Sequence, residues 1–421
     1  MQRPIRRVYF GLLLAVSGLA QNALPPRALT WQETLDRFRT NNPSLSAGRT
    51  AIDESRAQEI TAYLRPNPVG TLGWDQITPY KSNGLLRPIW LTYAYGSTTY
   101  LHEREHKREL RLESAQRATA IATSGQADLE RNLTFGLRDA FVRLLQAKAV
   151  ESVARQNIEY YDKMLAVYRD RLNSGAISRV DFQRVELQRA QFESDVLAAQ
   201  VDVRTAKIDL LSFMRDATPV DQFDVNATFD FVDQPHALEE LRRIAFDARP
   251  DLKQADQTID KARTDHQLAV ANGSADPTFG GSVSWQPAPY NTYAGFSISL
   301  PIRIFDKNQG EKARTSIEIT RSQRLRDAAQ SGALRDVDSA YATLESTLQQ
   351  LRPYKQTYLQ EAQQIRDTVT FSYQNGAASL LEFLDAQRAY RDTQLSYLNL
   401  VGAYLAAANQ LNFAVGREVI Q

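Results

Sequence analysis

The residues best suited to chemistry sit in one pentad, His102-Glu103-Arg104-Glu105-His106. On a helix, two histidines one turn apart hold a zinc ion while the glutamate between them activates its water. That chemistry also needs a third ligand, a buried site and a substrate cleft. Here the pentad is expected to open a helix crowded with charge, Lys107, Arg108, Glu109 and Arg111. His236 and His266 stand outside any ligand spacing, and neither a glycine-rich phosphate loop nor a nucleophile elbow occurs. The expectation is therefore no enzyme, no catalytic residue, no metal site and no cofactor.

Composition narrows the class further. A net charge of +1 over 421 residues leaves no electrostatic footprint for nucleic acid. With no cysteine there is no disulfide framework, thiolate metal site, cysteine nucleophile or cysteine-borne lipid. Residues 1–20 combine Arg3, Arg6 and Arg7 with the apolar run Phe10 to Val16 and a small-residue end, Gly18-Leu19-Ala20. This is the pattern of a secretory signal peptide, with cleavage expected near Ala20 or Ala23. Beyond it no apolar run approaches the roughly 20 residues of a transmembrane helix, so membrane contact, if any, falls to strands.

The elements that must carry function are written twice. Asn42-Pro43-Ser44-Leu45 and Ile52-Asp53-Glu54-Ser55-Arg56 recur as Arg249-Pro250-Asp251-Leu252 and Ile259-Asp260-Lys261-Ala262-Arg263. Tyr168 to Phe182 recurs as Val369 to Phe383. The expected organisation is a first repeat over 29–218, a linker over 219–236 and a second repeat over 237–416, each running helix, strand pair, long helical hairpin.

Two runs, about 103–173 and 309–374, are nearly free of glycine and proline and rich in Ala, Arg, Gln, Glu and Leu. Each predicts a helix of roughly 100 Å. Leu129, Leu133, Leu137, Phe141 and Leu144 form a seam in the first; Leu334, Val337, Tyr341, Leu344, Leu348 and Leu351 do so in the second, resuming at Tyr358, Ala362, Ile365 and Val369. A sustained period of 3.5 means packing on another helix. Pro353 should kink the second run. Each run ends in a glycine turn, at Gly175 or Gly376, and Ser178 or Ser379 is placed to cap a returning helix, giving helical hairpins over about 103–215 and 309–415.

Between helices lie strands. Phe279, Val283 and Trp285 alternate with Gly280, Ser282 and Ser284, and Ala294, Phe296, Ile298 and Leu300 alternate with Gly295, Ser297 and Ser299. Period two predicts strands over about 278–286 and 293–301, with looser counterparts over 69–77 (Leu72, Trp74) and 89–100 (Trp90, Leu91, Tyr93, Tyr95, Tyr100). Such strands, apolar on one side and hydrophilic on the other, suit a membrane barrel, but four cannot close one, so several chains must share it. The rival is a secreted coiled-coil scaffold or adaptor without a barrel; it accounts for the heptads but not for the aromatic strands.

The ordered duplication, the signal segment and the turn motif Gly-Ala-x-Ser followed by an acid and Phe together resemble the outer-membrane efflux protein family, the TolC-like exit ducts. The resemblance implies a mainly α fold with a small β part, assembled as a homotrimer with a 12-stranded barrel in outer-membrane lipid and an α-helical tunnel in the periplasm. It also implies a periplasmic adaptor (membrane fusion) protein and an inner-membrane pump of RND type as partners. Leu300-Pro301-Ile302-Arg303-Ile304-Phe305-Asp306-Lys307-Asn308-Gln309-Gly310 is similar to the strand-to-helix junction of the cobalt-zinc-cadmium branch. On the same resemblance, Glu382 and Asp385 would form acidic rings at the tunnel aperture. Asp181 and Tyr373 would be gate contacts, and Gly175, Ser178, Gly376 and Ser379 the adaptor-docking tips. The family's gate arginine and threonine positions hold Ala378 and Val180, so Arg179 or Arg171 is expected to pair with Asp181, or tip packing by Leu380, Leu381 and Phe383 to hold the closed state.

Overall fold

A computed structural model describes residues 27–75, 80–82, 85–87, 93–233, 237–286 and 291–420. The expected signal peptide, Trp90 and His236 lie outside them.

The first half opens with β1 (Arg27–Leu29), α1 (Trp31–Asn41) and α2 (Pro43–Tyr63). Thr30 starts α1 in a reciprocal capping box with Glu33. The side chain of Asn42 caps α2 by accepting from the Ser44 and Leu45 amides, and Pro43 sits at the first helical position, where its missing N–H has no role to fill. There follow β2 (Val69–Asp75), the short β3 (Tyr80–Ser82) and β4 (Leu85–Arg87), β5 (Tyr93–Leu101), α3 (Lys107–Asn173) and α4 (Arg179–Met214). β6 (Phe223–Val225) pairs in parallel with β1, within the stretch expected to be plain linker.

The second half gives α5 (Leu238–Ala248), α6 (Pro250–Ala271), β7 (Thr278–Trp285), β8 (Thr292–Ser299), α7 (Gln309–Pro353), α8 (Leu359–Gln374) and α9 (Leu380–Val415). The fold is mainly α with small sheets. The second long run, expected as one helix, is two: Tyr354–Tyr358 form a π turn directly after Pro353. Proline lacks the N–H of the helical ladder and its ring displaces the preceding carbonyl, and the wider turn absorbs the mismatch. The expected seam is buried before this break, at Val337, Leu344, Leu348 and Leu351, while Tyr358 and Ile365 beyond it stay exposed in the single chain.

Four strands form one antiparallel sheet in the order β2-β5-β7-β8, with β2 and β8 at its edges. Register sorts the side chains. Pairings Leu72↔Gly96, Gly96↔Val283 and Val283↔Ala294, together with Trp74↔Ala94↔Trp285 and Tyr100↔Phe279↔Ile298, put Leu72, Trp74, Phe279, Val283, Trp285, Phe296 and Ile298 on one face. The other face carries Thr71, Gly73, Ser97, Thr99, Gly280, Ser282, Ser284 and Ser297. Tyr93 and Tyr95, expected among the apolar set, belong to this second face, because Tyr95 pairs with Gly73 and Tyr93 with Asp75. The Tyr95 ring occupies the space over Gly73, within 2.4 Å of where a Cβ would stand.

Below the sheet the helices pack around three cores. One joins α1, α2, α3 and α4 through Phe38, Leu45, Leu137, Leu144, Leu210 and Met214, sealed by Leu29, Phe223 and Val225 of the parallel pair. A second joins α5, α7 and α9. Each fully buried aliphatic or aromatic side chain contributes about 1.5–3 kcal/mol. A third lies at the hairpin tips. Among the described residues no helix is long and apolar enough to cross a membrane.

The end of α9 is fixed by a buried charge. Arg249 donates to Asp251 at 2.7 Å and to the Ala414 carbonyl at 3.0 Å. Gly416 terminates the helix at φ +85°, its α-carbon so close to Arg249 that a Cβ would lie 3.1 Å from backbone. Gly416→Ala is expected to lower unfolding free energy by about 1–2 kcal/mol, since the left-handed conformation alone costs that much. Gly332→Ala, in open space within α7, should raise it by about 0.5–1 kcal/mol. Denaturation midpoints of the two variants test the pair.

Candidate functional site

The hairpin tips decode the turn motif. At the first, the Gly175 amide donates to Leu172 and the Ala176 amide to Arg171; at the second, Gly376 donates to Tyr373 and Ala377 to Ser372. These are paired Schellman closures, with Gly175 at φ +75° and Gly376 at φ +73°, a region glycine enters without a Cβ penalty. Ser178 then caps α4, accepting from the Asp181 amide at 3.0 Å and donating its hydroxyl to the Asp181 carboxylate at 2.7 Å. Ser379 and Glu382 form a full capping box on α9, with the Ser379 amide donating to the Glu382 carboxylate at 2.6 Å. The next residues, Phe182 and Phe383, turn inward, each one helical turn past a small or apolar residue before the cap.

Those inward rings hold the two hairpins together. Tyr373 stacks on Phe383 at 5.3 Å, and Tyr168 meets Tyr373 at 5.5 Å and Phe383 edge-on at 5.7 Å. Burial, then the nearby Asp181 carboxylate, pushes the Tyr373 hydroxyl up, so it is neutral at physiological pH. Phe383 is 0% exposed but Leu381 is 77% exposed. Within the chain, Leu381 therefore takes no part in the tip packing.

The expected arginine partners of Asp181 are also corrected. Among the described residues no ion pair joins Asp181 to Arg171 or Arg179. Arg171 instead crosses to the other tip and donates to the Gln374 carbonyl, a cation set against the negative end of α8. Higher up, Arg391 of α9 pairs with Asp195 of α4 at 2.8 Å, and Tyr160 and Gln387 converge on the Thr370 hydroxyl at 3.4 and 3.2 Å. Sequence reasoning missed these links, for neither partner carries a local motif. Glu382 and Asp385 lie one turn apart at the start of α9, both exposed.

The histidine pentad is a turn. His102 ends the strand region, its amide donating to the Pro277 carbonyl and its ring edge-on to Phe279. Glu103 forms a two-pronged ion pair with Arg111. Glu105 and His106 take left-handed φ values of 56° and 54°, and α3 starts only at Lys107. The helix expected to begin at the pentad begins after it, so the histidines do not face one another across a helical turn. Among the described residues no group of three His, Asp or Glu could hold a metal.

The chain thus carries a half-apolar sheet at one end and capped hairpin tips at the other. Residues 241–417 match the family model described as outer membrane efflux protein. That match spans the second repeat. The chain is 23% identical, over 98% of its length and all of the relative, to the cobalt-zinc-cadmium resistance protein CzcC of Cupriavidus metallidurans. It is 24% identical to the cation efflux system protein CusC of Escherichia coli K12, covering 86% of this chain and 80% of that one. A crystal structure of CusC superposes with a TM-score of 0.76 at 19% identity, covering 95% and 96% of the two chains. The open-state MtrE outer membrane channel of Neisseria gonorrhoeae gives 0.72 at 18% identity, over 94% and 90%. The likeness to these solved channels covers the sheet and both helical hairpins, and it establishes the fold.

Two predictions follow from the tips. Phe383→Ala should cost about 3–5 kcal/mol and Leu381→Ala no more than about 0.5 kcal/mol, read as denaturation midpoints. The Ser379 amide, then its hydroxyl, holds the Glu382 carboxyl below the usual range. Because the folded group titrates below its unfolded counterpart, the cap's contribution is in place above the ordinary glutamate range and is lost as pH falls through the folded value. The protection factors of the amides of residues 380–384, taken against the intrinsic exchange rate at each pH, should therefore fall on acidification below about pH 4, and Ser379→Ala should remove most of that pH dependence.

Proposed function

We propose that the protein is a passive outer-membrane exit duct of a tripartite efflux system. Three copies would supply twelve strands to one barrel and their hairpins to one periplasmic tunnel. The observation that carries this reading is the sheet itself: four antiparallel strands with an apolar outer face, a serine- and glycine-rich inner face and two unpaired edges. In hydrocarbon those edges must be paired, and a ring of copies pairs them all. A periplasmic adaptor would seat on the tips around Gly175, Ser178, Gly376 and Ser379, with an inner-membrane pump of RND type supplying the energy. The cargo reading is a metal cation, supported by the cobalt-zinc-cadmium and cation efflux relatives.

Asp385 and Glu382 are the proposed aperture carboxylates. Brought together three-fold, they would concentrate cations and raise the barrier to anions. Glu382 also caps α9, so the two residues should separate by experiment. In planar bilayers the purified protein is expected to give cation-selective steps. Asp385→Ala should reduce that selectivity without loss of stability, and Glu382→Ala should do both. Steps of unchanged selectivity in the double variant would remove these residues from the aperture. Deletion of the gene should lower tolerance to cobalt, zinc or cadmium several-fold more than tolerance to dyes or detergents; the reverse pattern would overturn the metal cargo.

A further inference from the structure

The chain contains one finished seam between its halves and the two raw sides of another. In the finished seam β5 pairs with β7, and beneath them the turn from β5 into α3 packs on the turn from α6 into β7. This seam is ionic. Lys107, 3% exposed, donates to the Ser274 carbonyl at 2.8 Å and to Asp276 at 2.7 Å, and Asp276 also accepts from the Arg104 amide at 2.9 Å.

The duplication supplies the same two turns again. Residues 300–308 lead from β8 into α7, and residues 64–68 lead from α2 into β2. Asn308 takes a left-handed conformation directly before its helix, as His106 does before α3. Within one chain these turns stand at opposite edges of the sheet, and both expose apolar side chains among their polar ones. Ile302 is 84% and Phe305 90% exposed, beside exposed Leu300 and Ile304; across the sheet Ile60, Leu64 and Val69 are also exposed.

We infer that residues 300–305 of one copy seat against residues 60–69 of the next, forming an apolar seam that replaces the ionic one. The inference rests on the trimeric reading and says which surfaces make it. The occupant is a second copy because the first repeat shows what covers a strand-to-helix turn, namely the helix-to-strand turn of the repeat beside it. The free turn of that kind lies at the far edge of the same chain, so the contact is head-to-tail and closes as a ring. Contiguous exposed apolar surface of this kind marks an interaction site. Attraction of this kind is little affected by salt, whereas exposed charge pairs are screened.

The test uses Leu64→Cys with Ile302→Cys in a chain that has no cysteine of its own. A short bismaleimide added to the detergent-purified protein should give covalent dimers and trimers on a denaturing gel, and neither single variant should. Phe305→Asp should lower the trimer fraction in native mass spectra roughly tenfold or more, with 1 M salt leaving wild-type trimers intact, as expected of an apolar contact. Trimers that form normally but do not cross-link, or that tolerate Phe305→Asp, would overturn the seam while leaving the trimeric reading standing, and would assign residues 302–305 to lipid. Well-folded protein that is monomeric throughout would overturn both.

Discussion

A strand placed in hydrocarbon cannot leave its backbone N–H and C=O groups unpaired, and this sheet has two unpaired edges. The rest of the molecule is consistent with that constraint. The strands are short and alternate in polarity, as a sheet with lipid on one side and water on the other requires. The connections leave β2 and β8 on opposite edges, so a copy can add to each. Glycine and serine fill the inner face, and Tyr95 lies over Gly73, restoring the packing that a strand glycine gives up.

The same duplication organises the helices. Each half ends its outward helix in a Schellman glycine, turns through a serine cap and buries a phenylalanine one turn later. The acid of the motif, Asp181 or Glu382, is thus first a local device for satisfying helix-start groups. Any role at an aperture is added to that duty. The halves are joined at the tips by Tyr168, Tyr373 and Phe383, by Arg171 reaching the end of α8, and by the Arg391–Asp195 pair. A change of aperture would have to break or carry along these links.

Much of this was legible in the sequence because it is local. Period-two alternation located the strands, the glycine turns marked the tips, and Ser178 and Ser379 proved to be N-caps. What was not legible depends on distant partners. The β1–β6 pair joins three-residue strands from opposite ends of the first half, too short for a periodic signal. The face occupied by Tyr93 and Tyr95 is set by register against Gly73 and Asp75, not by their aromatic character. Leu381 reads as a tip-packing residue by hydrophobicity alone, but the helical turn fixed by the Ser379 cap points Phe383 inward and Leu381 out. The pentad's helical reading failed because two left-handed residues stop α3 from starting before Lys107.

The central claim is that the sheet has a lipid side and a water side when the protein is in its membrane. Single cysteines along β7 and β8, reacted in outer-membrane vesicles with a charged, membrane-impermeant maleimide, test it most directly. The account predicts labelling at positions 282, 284 and 297 and protection at 283, 296 and 298, an alternation of period two. Equal labelling on both faces would mean that the sheet is not embedded in lipid, and the exit-duct reading would fall with it.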